Sequence, residues 1–136
     1  MARLAPEKAK LAVAKSTMAI HSGVRQRLPV DTGFLRTSYK FALENGGLTG
    51  TVYSDSKYSI YIEFGTKPHF PPVAPLEEWA RRHGMPPGTG FLIARKISKT
   101  GTKAVPALFP AYEAERSQFE AAVKAALQQA VIEAAN

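Results

Sequence analysis

The fold class is decided by residues 34–54, which read FLRTSYKFALENGGLTGTVYS. Apolar and aromatic residues alternate with polar ones from Leu35 to Leu43, as expected of a strand with one buried face. Asn45-Gly46-Gly47 then supplies residues that tolerate positive φ angles, and Leu48 to Ser54 forms the returning strand. We therefore predict a β-hairpin over 34–54.

A long helix is predicted before this hairpin, from about Arg3 to Leu28, and Pro29 ends it. It carries two apolar stripes on roughly opposite sides. One stripe contains Leu4, Leu11 and Met18, and the other contains Val13, Ile20, Val24 and Leu28. A surface helix needs only one apolar face. The second stripe favours either a contact with a neighbouring subunit or a helix that is central in the core.

Helices also dominate the C-terminal part of the chain. Residues 58–64 fit either a third strand or one to two turns of helix, and the prolines between Thr66 and Pro75 predict a rigid extended loop. Two short helices, from Pro75 to about His83 and from Phe91 to Lys99, form a predicted helical hairpin over 75–101. The last helix is expected from about Pro110 to Ala134. Its apolar stripe is expected to lie on the sheet, and comprises Tyr112, Phe119, Val123, Leu127 and Ala130.

Together these elements predict an α+β fold. Long N-terminal and C-terminal helices pack on a small antiparallel sheet, which consists of the hairpin 34–54 and a possible third strand. The helical hairpin 75–101 is inserted into this domain. A single domain over residues 1–136 is expected, because a chain of 136 residues buries enough surface for one core.

The net charge of +7 is unevenly distributed along the chain. Residues 1–28 hold six Lys or Arg and one Glu, and residues 75–104 hold six Lys or Arg and two Glu. Contact with nucleic acid, a solvated helix face and an interface with an acidic neighbour are all compatible with this pattern. The chain has no Cys, which excludes disulfides and thiolate metal sites. No apolar run is long enough for a membrane span.

No group of residues predicts catalysis. Asp31-Thr32-Gly33 matches the turn of aspartic peptidases, but in those enzymes the Asp follows a buried strand and here it follows a long helix. A capped turn is the better interpretation. His21, His69 and His83 lie in three different elements without carboxylates at ligand spacing. We therefore expect no enzyme activity, no metal and no cofactor.

Two motifs resemble those of a known family. Residues 29–38 read Pro-Val-Asp-Thr-Gly-Phe-Leu-Arg-Thr-Ser, and residues 58–66 read Tyr-Ser-Ile-Tyr-Ile-Glu-Phe-Gly-Thr. With this order and spacing, the chain resembles the tail-completion, or head-tail joining, proteins of long-tailed DNA phages and prophages. Residues 99–111 resemble the segment that leads into the last helix of the family, so the resemblance covers nearly the whole chain. Two departures are Ser59, where Ala is usual, and Leu108-Phe109, which follow Ala107 and not Pro106 directly.

The resemblance implies a structural virion protein in the neck at the top of the tail, made in the host bacterial cytoplasm. It implies a homo-oligomeric, hexameric ring between a head-side connector or stopper protein and the tail tube or tail terminator protein. Genomic DNA would pass through the channel of this ring without sequence-specific contact, and no membrane is involved. A tail-terminator ring subunit is the alternative within the virion, and a basic DNA-binding protein is the alternative outside it.

The resemblance also implies structural roles for residues within the two motifs. Asp31 and Gly33 are assigned to turn geometry, Arg36 to a charge pair with a partner such as Glu63, and aromatic residues of 58–64 to anchoring. The full set of motif residues is Asp31, Thr32, Gly33, Leu35, Arg36, Ser38, Tyr58, Tyr61, Glu63, Phe64, Gly65 and Thr66. The loop 65–75 and the hairpin 75–101 are expected to reach a neighbouring subunit or to form an ordered loop and a local lid over the core. Their interface candidates are Lys67, His69, Phe70, Trp79, Arg81 and Arg82.

Overall fold

The computed structural model describes residues 4–29 and 33–135, with side chains from Pro6 onward within those ranges. The elements in chain order are α1 (Leu4–Arg27), α2 (Phe34–Ser38), β1 (Tyr39–Glu44), a 3-10 turn (Asn45–Gly47), β2 (Thr49–Ser54), α3 (Ser59–Phe64), α4 (Val73–Arg82), α5 (Thr89–Thr100) and α6 (Leu108–Ala135). The predicted α+β class is confirmed. The chain divides into two compact units, of which the first holds Met1–Ser59 with Pro106–Asn136 and the second holds Ile60–Val105. The single domain predicted over 1–136 stays a prediction.

The sheet of the first unit is the predicted hairpin. Strands β1 and β2 are antiparallel, with Tyr39 opposite Ser54 and Glu44 opposite Thr49. The turn has the predicted conformation, because Asn45, Gly46 and Gly47 all have positive φ angles, of 52°, 66° and 93°. Within the described residues, β1 and β2 are the only strands of this sheet. The open choice for residues 58–64 is thereby resolved in favour of helix.

The predicted first strand is too long at its N-terminal end. Residues 34–38 form the short helix α2, not part of a strand, and β1 begins at Tyr39. Gly33 has a φ of 82°, and its carbonyl oxygen accepts a helical hydrogen bond from the Thr37 N–H at 3.0 Å. The Ser38 hydroxyl donates to the Leu35 carbonyl at 2.6 Å. These local bonds favour a helical turn. Alternation of polar and apolar residues over only five positions does not exclude such a turn.

Helix α1 packs on the sheet with one part of its surface and on α6 with another. His21 joins it to β1, because its Nε2 donates to the Tyr39 carbonyl at 2.8 Å and its ring lies 5.2 Å from that of Phe41. Gly50 of β2 lies against Thr17, whose hydroxyl donates to the Val13 carbonyl at 2.7 Å. The absence of a side chain at Gly50 is therefore what permits the hairpin to approach α1 closely.

Both predicted stripes of α1 exist, and only one of them is covered. Val13, Val24 and Leu28 are buried, whereas Leu11 is 61% exposed and Met18 is 50% exposed. The side chain of Leu4 lies outside the described residues. The second apolar stripe therefore does not contribute to the core of this unit.

Helix α6 packs mainly on α1 and not, as predicted, directly on the sheet. Its buried side chains are the small ones of Ala111 and Ala126, while Tyr112 and Leu127 of the predicted stripe are 47% and 57% exposed. A close helix pair requires small side chains at the contact. The predicted stripe is therefore wrong at Tyr112 and Leu127, whereas Phe119, Val123 and Ala130 are half-buried.

The second unit contains the predicted helical hairpin, formed by the paired helices α4 and α5. Helix α4 begins at Val73, two residues before Pro75, and α5 begins at Thr89, two residues before Phe91. Pro75 is still in the first turn, where its missing N–H breaks no helical hydrogen bond. Gly84 and Gly101, with φ angles of 73° and 71°, follow the two helices as expected.

Candidate functional site

Asp31 and Thr32 of the first motif lie outside the described residues. Gly33 precedes α2 in a left-handed conformation. Ser38 and Ser54 join α2 to the end of β2, because their hydroxyl oxygens lie 2.9 Å apart and the Ser38 hydroxyl is already committed to the Leu35 carbonyl. Ser54 is therefore the donor in this pair.

Arg36 is held close to the end of α1. Its Nη2 lies 3.5 Å from the Leu28 carbonyl oxygen, and its Nε is buried without a hydrogen-bond partner among the described residues. A buried guanidinium nitrogen without a partner is costly. Glu63 belongs to the second unit. The pairing of Arg36 with Glu63 stays a prediction.

The aromatic residues of the second motif are exposed. Tyr58 is 60% exposed at the end of the first unit, and in the second unit Ile60, Tyr61 and Phe64 of α3 are 58%, 54% and 76% exposed. None of the residues of α3 is buried. Such a concentration of exposed large apolar side chains is typical of contact surfaces. The anchoring role predicted for Tyr58, Tyr61 and Phe64 is thus not met by packing within the described chain.

The end of the second motif is tied to the segment after α5 by a short backbone bridge. Thr66 and Thr102 each donate a backbone N–H to the other's carbonyl oxygen at 3.1 Å, and their hydroxyl oxygens are 2.8 Å apart. Gly65 and Gly101 flank this bridge with positive φ angles of 73° and 71°. A Cβ on either glycine would meet the backbone of the opposite segment. We call Gly65, Thr66, Gly101 and Thr102 the clasp.

The predicted interface candidates are distributed over this second unit. Phe70 is 55% exposed, and its ring lies 6.1 Å from that of Phe91. His69 donates a hydrogen bond from Nδ1 to the Lys67 carbonyl oxygen, at 2.9 Å. Trp79 stacks on His83 with ring centroids 4.1 Å apart. Lys67 lies next to the clasp and is exposed.

Arg81 and Arg82 have partners within their own helix. Arg81 Nε donates to Glu78 at 3.2 Å, and Arg82 forms an ion pair with the same carboxylate at 3.6 Å. The hydrogen bond from Arg81 holds the pKa of Glu78 below its usual range. These two arginines are therefore less available to a partner than Lys67.

A carboxylate that the sequence analysis did not single out organises the helical hairpin. Glu77 of α4 accepts the backbone N–H groups of Gly88 and Gly90, both at 3.0 Å, at the start of α5. Gly88 has no side chain with which to cap that helix. The two helices also touch here, since a Cβ on Gly90 would overlap the Glu77 backbone. A Gly-Thr-Gly helix start without a capping side chain is the only sequence signal for this arrangement.

We expect Glu77→Ala to lower the stability of the second unit by about 2 kcal/mol, because two charge-assisted bonds to a helix N-terminus are lost. Hydrogen exchange of the α5 amides measures this local effect. Glu78→Ala is the matched control, since it removes the neighbouring carboxylate from exposed ion pairs only. Equal losses of protection in the two variants would contradict the role assigned to Glu77.

The comparison with protein families bears on the N-terminal part of the chain. Residues 1–65 match the family model described as "Bacteriophage HK97-gp10, putative tail-component". The N-terminal segment of this chain is therefore similar to a family of phage tail components. The family resemblance is thereby confirmed over 1–65, not over nearly the whole chain as expected. No curated protein and no solved structure is significantly similar to this chain.

The matched segment contains α1, the hairpin and nearly all of the second motif. The match supports a structural phage protein that is part of the virion. Among the described residues, no helix has the length and apolar character needed to cross a membrane. The segment from 66 onward, which includes the helical hairpin, lies beyond the family match.

Proposed function

We propose that this protein is a phage tail component and a subunit of a homo-oligomeric, hexameric ring in the neck of the virion. The ring joins the tail to the head-side connector and continues the DNA channel. It contacts the connector or stopper protein on one side and the tail tube or tail terminator protein on the other. Its role is structural, without catalysis and without a cofactor.

The observation that carries this proposal is the exposed apolar surface within the family-matched segment. Leu11 and Met18 lie seven residues apart on the side of α1 that neither the sheet nor α6 covers. Ile60, Tyr61 and Phe64 form a second exposed apolar group in α3. A cyclic ring needs two different patches on each subunit. The described chain offers one apolar patch in each unit as a candidate for this requirement.

The core is small in comparison with these patches. Among the described residues, the buried apolar side chains larger than Ala are Val13, Val24, Leu28 and Tyr39. Contact with other copies would add the buried apolar area that a durable assembly requires. An assembly subunit therefore accounts for this distribution better than a protein that acts as a free monomer.

Replacing both exposed residues of α1, as Leu11→Glu with Met18→Glu, is expected to weaken self-association at least about tenfold. Burial of a single Leu or Met side chain contributes roughly 1.5–3 kcal/mol, and a tenfold change requires about 1.4 kcal/mol. Sedimentation velocity over a range of protein concentrations measures the shift towards monomer. The fold should persist in circular dichroism, because both side chains are half exposed or more.

Gln128→Glu, an exposed position on α6, is the control for the added negative charge. It should assemble like the natural protein. If the double variant also assembles like the natural protein, the α1 stripe is not a subunit contact and the proposed ring loses its main support.

A further inference from the structure

The second unit carries cations that have no acidic partner. It contains seven Lys or Arg and three Glu between residues 60 and 105. Glu77 is occupied by the start of α5, Glu78 pairs with Arg81 and Arg82, and Glu63 is also engaged. The remaining five cations are exposed and form no ion pair with any described residue. They are Lys67, Arg95, Lys96, Lys99 and Lys103.

Three of these cations share one side of α5. At 100° per residue, Arg95, Lys96 and Lys99 fall within one 100° sector, and the buried Gly90 and Ala94 lie away from it. The helix contact with α4 therefore fixes which side of α5 these cations occupy. They are also in the last two turns of α5, where the helix dipole favours positive charge.

The clasp adds the other two cations. The backbone bridge between Thr66 and Thr102 is antiparallel, so the residues that follow it, Lys67 and Lys103, lie on its two opposite sides, near the end of α5. The hydroxyls of Thr66 and Thr102 form a hydrogen bond with each other between the two bridged segments. We call the five cations the cationic face. It combines lysine and arginine with hydroxyl groups, which are the side chains that most often contact phosphate oxygens.

We propose that the cationic face binds the phosphate backbone of duplex DNA without regard to sequence. Four of its five cations are lysines, which are depleted in the cores of protein–protein interfaces and are mobile, strongly hydrated point charges. Such contacts let a protein slide along DNA. The choice of duplex DNA among polyanions rests on the proposed function, because DNA passes through the neck.

The test is the salt dependence of binding of the full-length protein to a labelled mixed-sequence duplex, measured by fluorescence anisotropy. If all five cations reach phosphates, the slope of log K against log salt is about −4.5, because each neutralised phosphate contributes about 0.9. The triple variant Arg95→Gln, Lys96→Gln, Lys99→Gln should make this slope shallower by about 2.7. A second duplex of unrelated sequence should bind equally well.

The matched control removes three cations from the first unit, as Lys15→Gln, Arg25→Gln and Lys124→Gln, which are all exposed. For this control variant, the slope of log K against log salt should equal that of the natural protein. The net charge of the control is the same as that of the α5 triple variant. Equal loss in both variants would show that diffuse charge, not the cationic face, binds DNA. Absence of binding at low salt would also overturn the proposal.

Polyglutamate is the second probe. Tighter binding of polyglutamate than of duplex DNA would assign the cationic face to an acidic protein and overturn the proposal. Failure of this proposal is distinguishable from failure of the proposed function, because sedimentation of the α1 double variant reports on self-association and is measured without DNA.

Discussion

Gly50→Ala is expected to destabilise the first unit by about 2 kcal/mol, because the added methyl group overpacks the contact between the hairpin and α1. Its Cβ would overlap the Thr17 hydroxyl oxygen and lie 3.0 Å from the Thr17 Cβ. Thr17 is buried, and its hydroxyl is bonded within α1. Its branched side chain has few alternative rotamers in a helix. Chemical denaturation followed by tyrosine fluorescence and by hydrogen exchange of the hairpin amides measures the loss.

Thr17→Ala provides the partner for a double-mutant cycle. With the hydroxyl and methyl groups of Thr17 removed, Gly50→Ala should cost at least about 1 kcal/mol less than it does in the natural protein. Additive effects of the two substitutions would contradict the packing described between β2 and α1. The cycle is informative even if both single variants are destabilised.

Gly101→Ala is expected to open the clasp and to cost the second unit about 3 kcal/mol. Gly101 has a φ of 71° and a ψ of −164°, a region that is essentially restricted to glycine, with a strain of roughly 1–3 kcal/mol for other residues. Its Cβ would also overlap the Thr66 carbonyl oxygen, which is backbone and is held in the bridge. Hydrogen exchange of the Thr66 and Thr102 amides reports directly on the bridge.

Gly84→Ala is the control that introduces backbone strain without steric overlap of the added Cβ. Gly84 has a similar φ of 73°, but no atom lies within 4 Å of the position of its Cβ. The Gly84→Ala substitution should lower the stability of the second unit by about 1 kcal/mol. It should leave the Thr66 and Thr102 amides protected from hydrogen exchange. If both variants expose those amides to the same extent, the clasp is not a specific contact of Gly101.

The sequence predicted the fold where the signal was local. Asn45-Gly46-Gly47 specified the hairpin turn, and Pro29 marked the end of α1. The start of β1 was misplaced, because alternation over residues 34–38 is also compatible with a helical turn capped by Gly33. The packing of α6 was misplaced for a different reason: side-chain size, and not hydropathy, determines which residues lie between two close helices.

The candidate site was harder to predict because it depends on contacts between distant residues. The two motifs identified the aromatic residues of α3, but hydropathy did not reveal that Tyr61 and Phe64 remain exposed. Thr66 and Thr102 are 36 residues apart, and no local pattern in the sequence predicted their contact. Glu77 caps a helix other than its own, so no local capping pattern pointed to it.

The proposed position in the virion determines what the exposed surfaces contact. A subunit between the head connector and the tail has neighbours around the ring as well as above and below it, so apolar patches in both units have partners in the assembled particle. We propose DNA contact for the cationic face and subunit contact for the α1 stripe. The substitutions at these two sites are therefore expected to have different consequences, for DNA binding and for self-association respectively.

The position in the particle is tested most directly by electron microscopy of virions that carry a label on this protein, together with particles assembled without it. A joining role predicts label confined to the head-tail junction, and full heads and separate tails accumulating when the protein is absent. Label elsewhere on the particle, or normal virions assembled without the protein, would contradict the joining role.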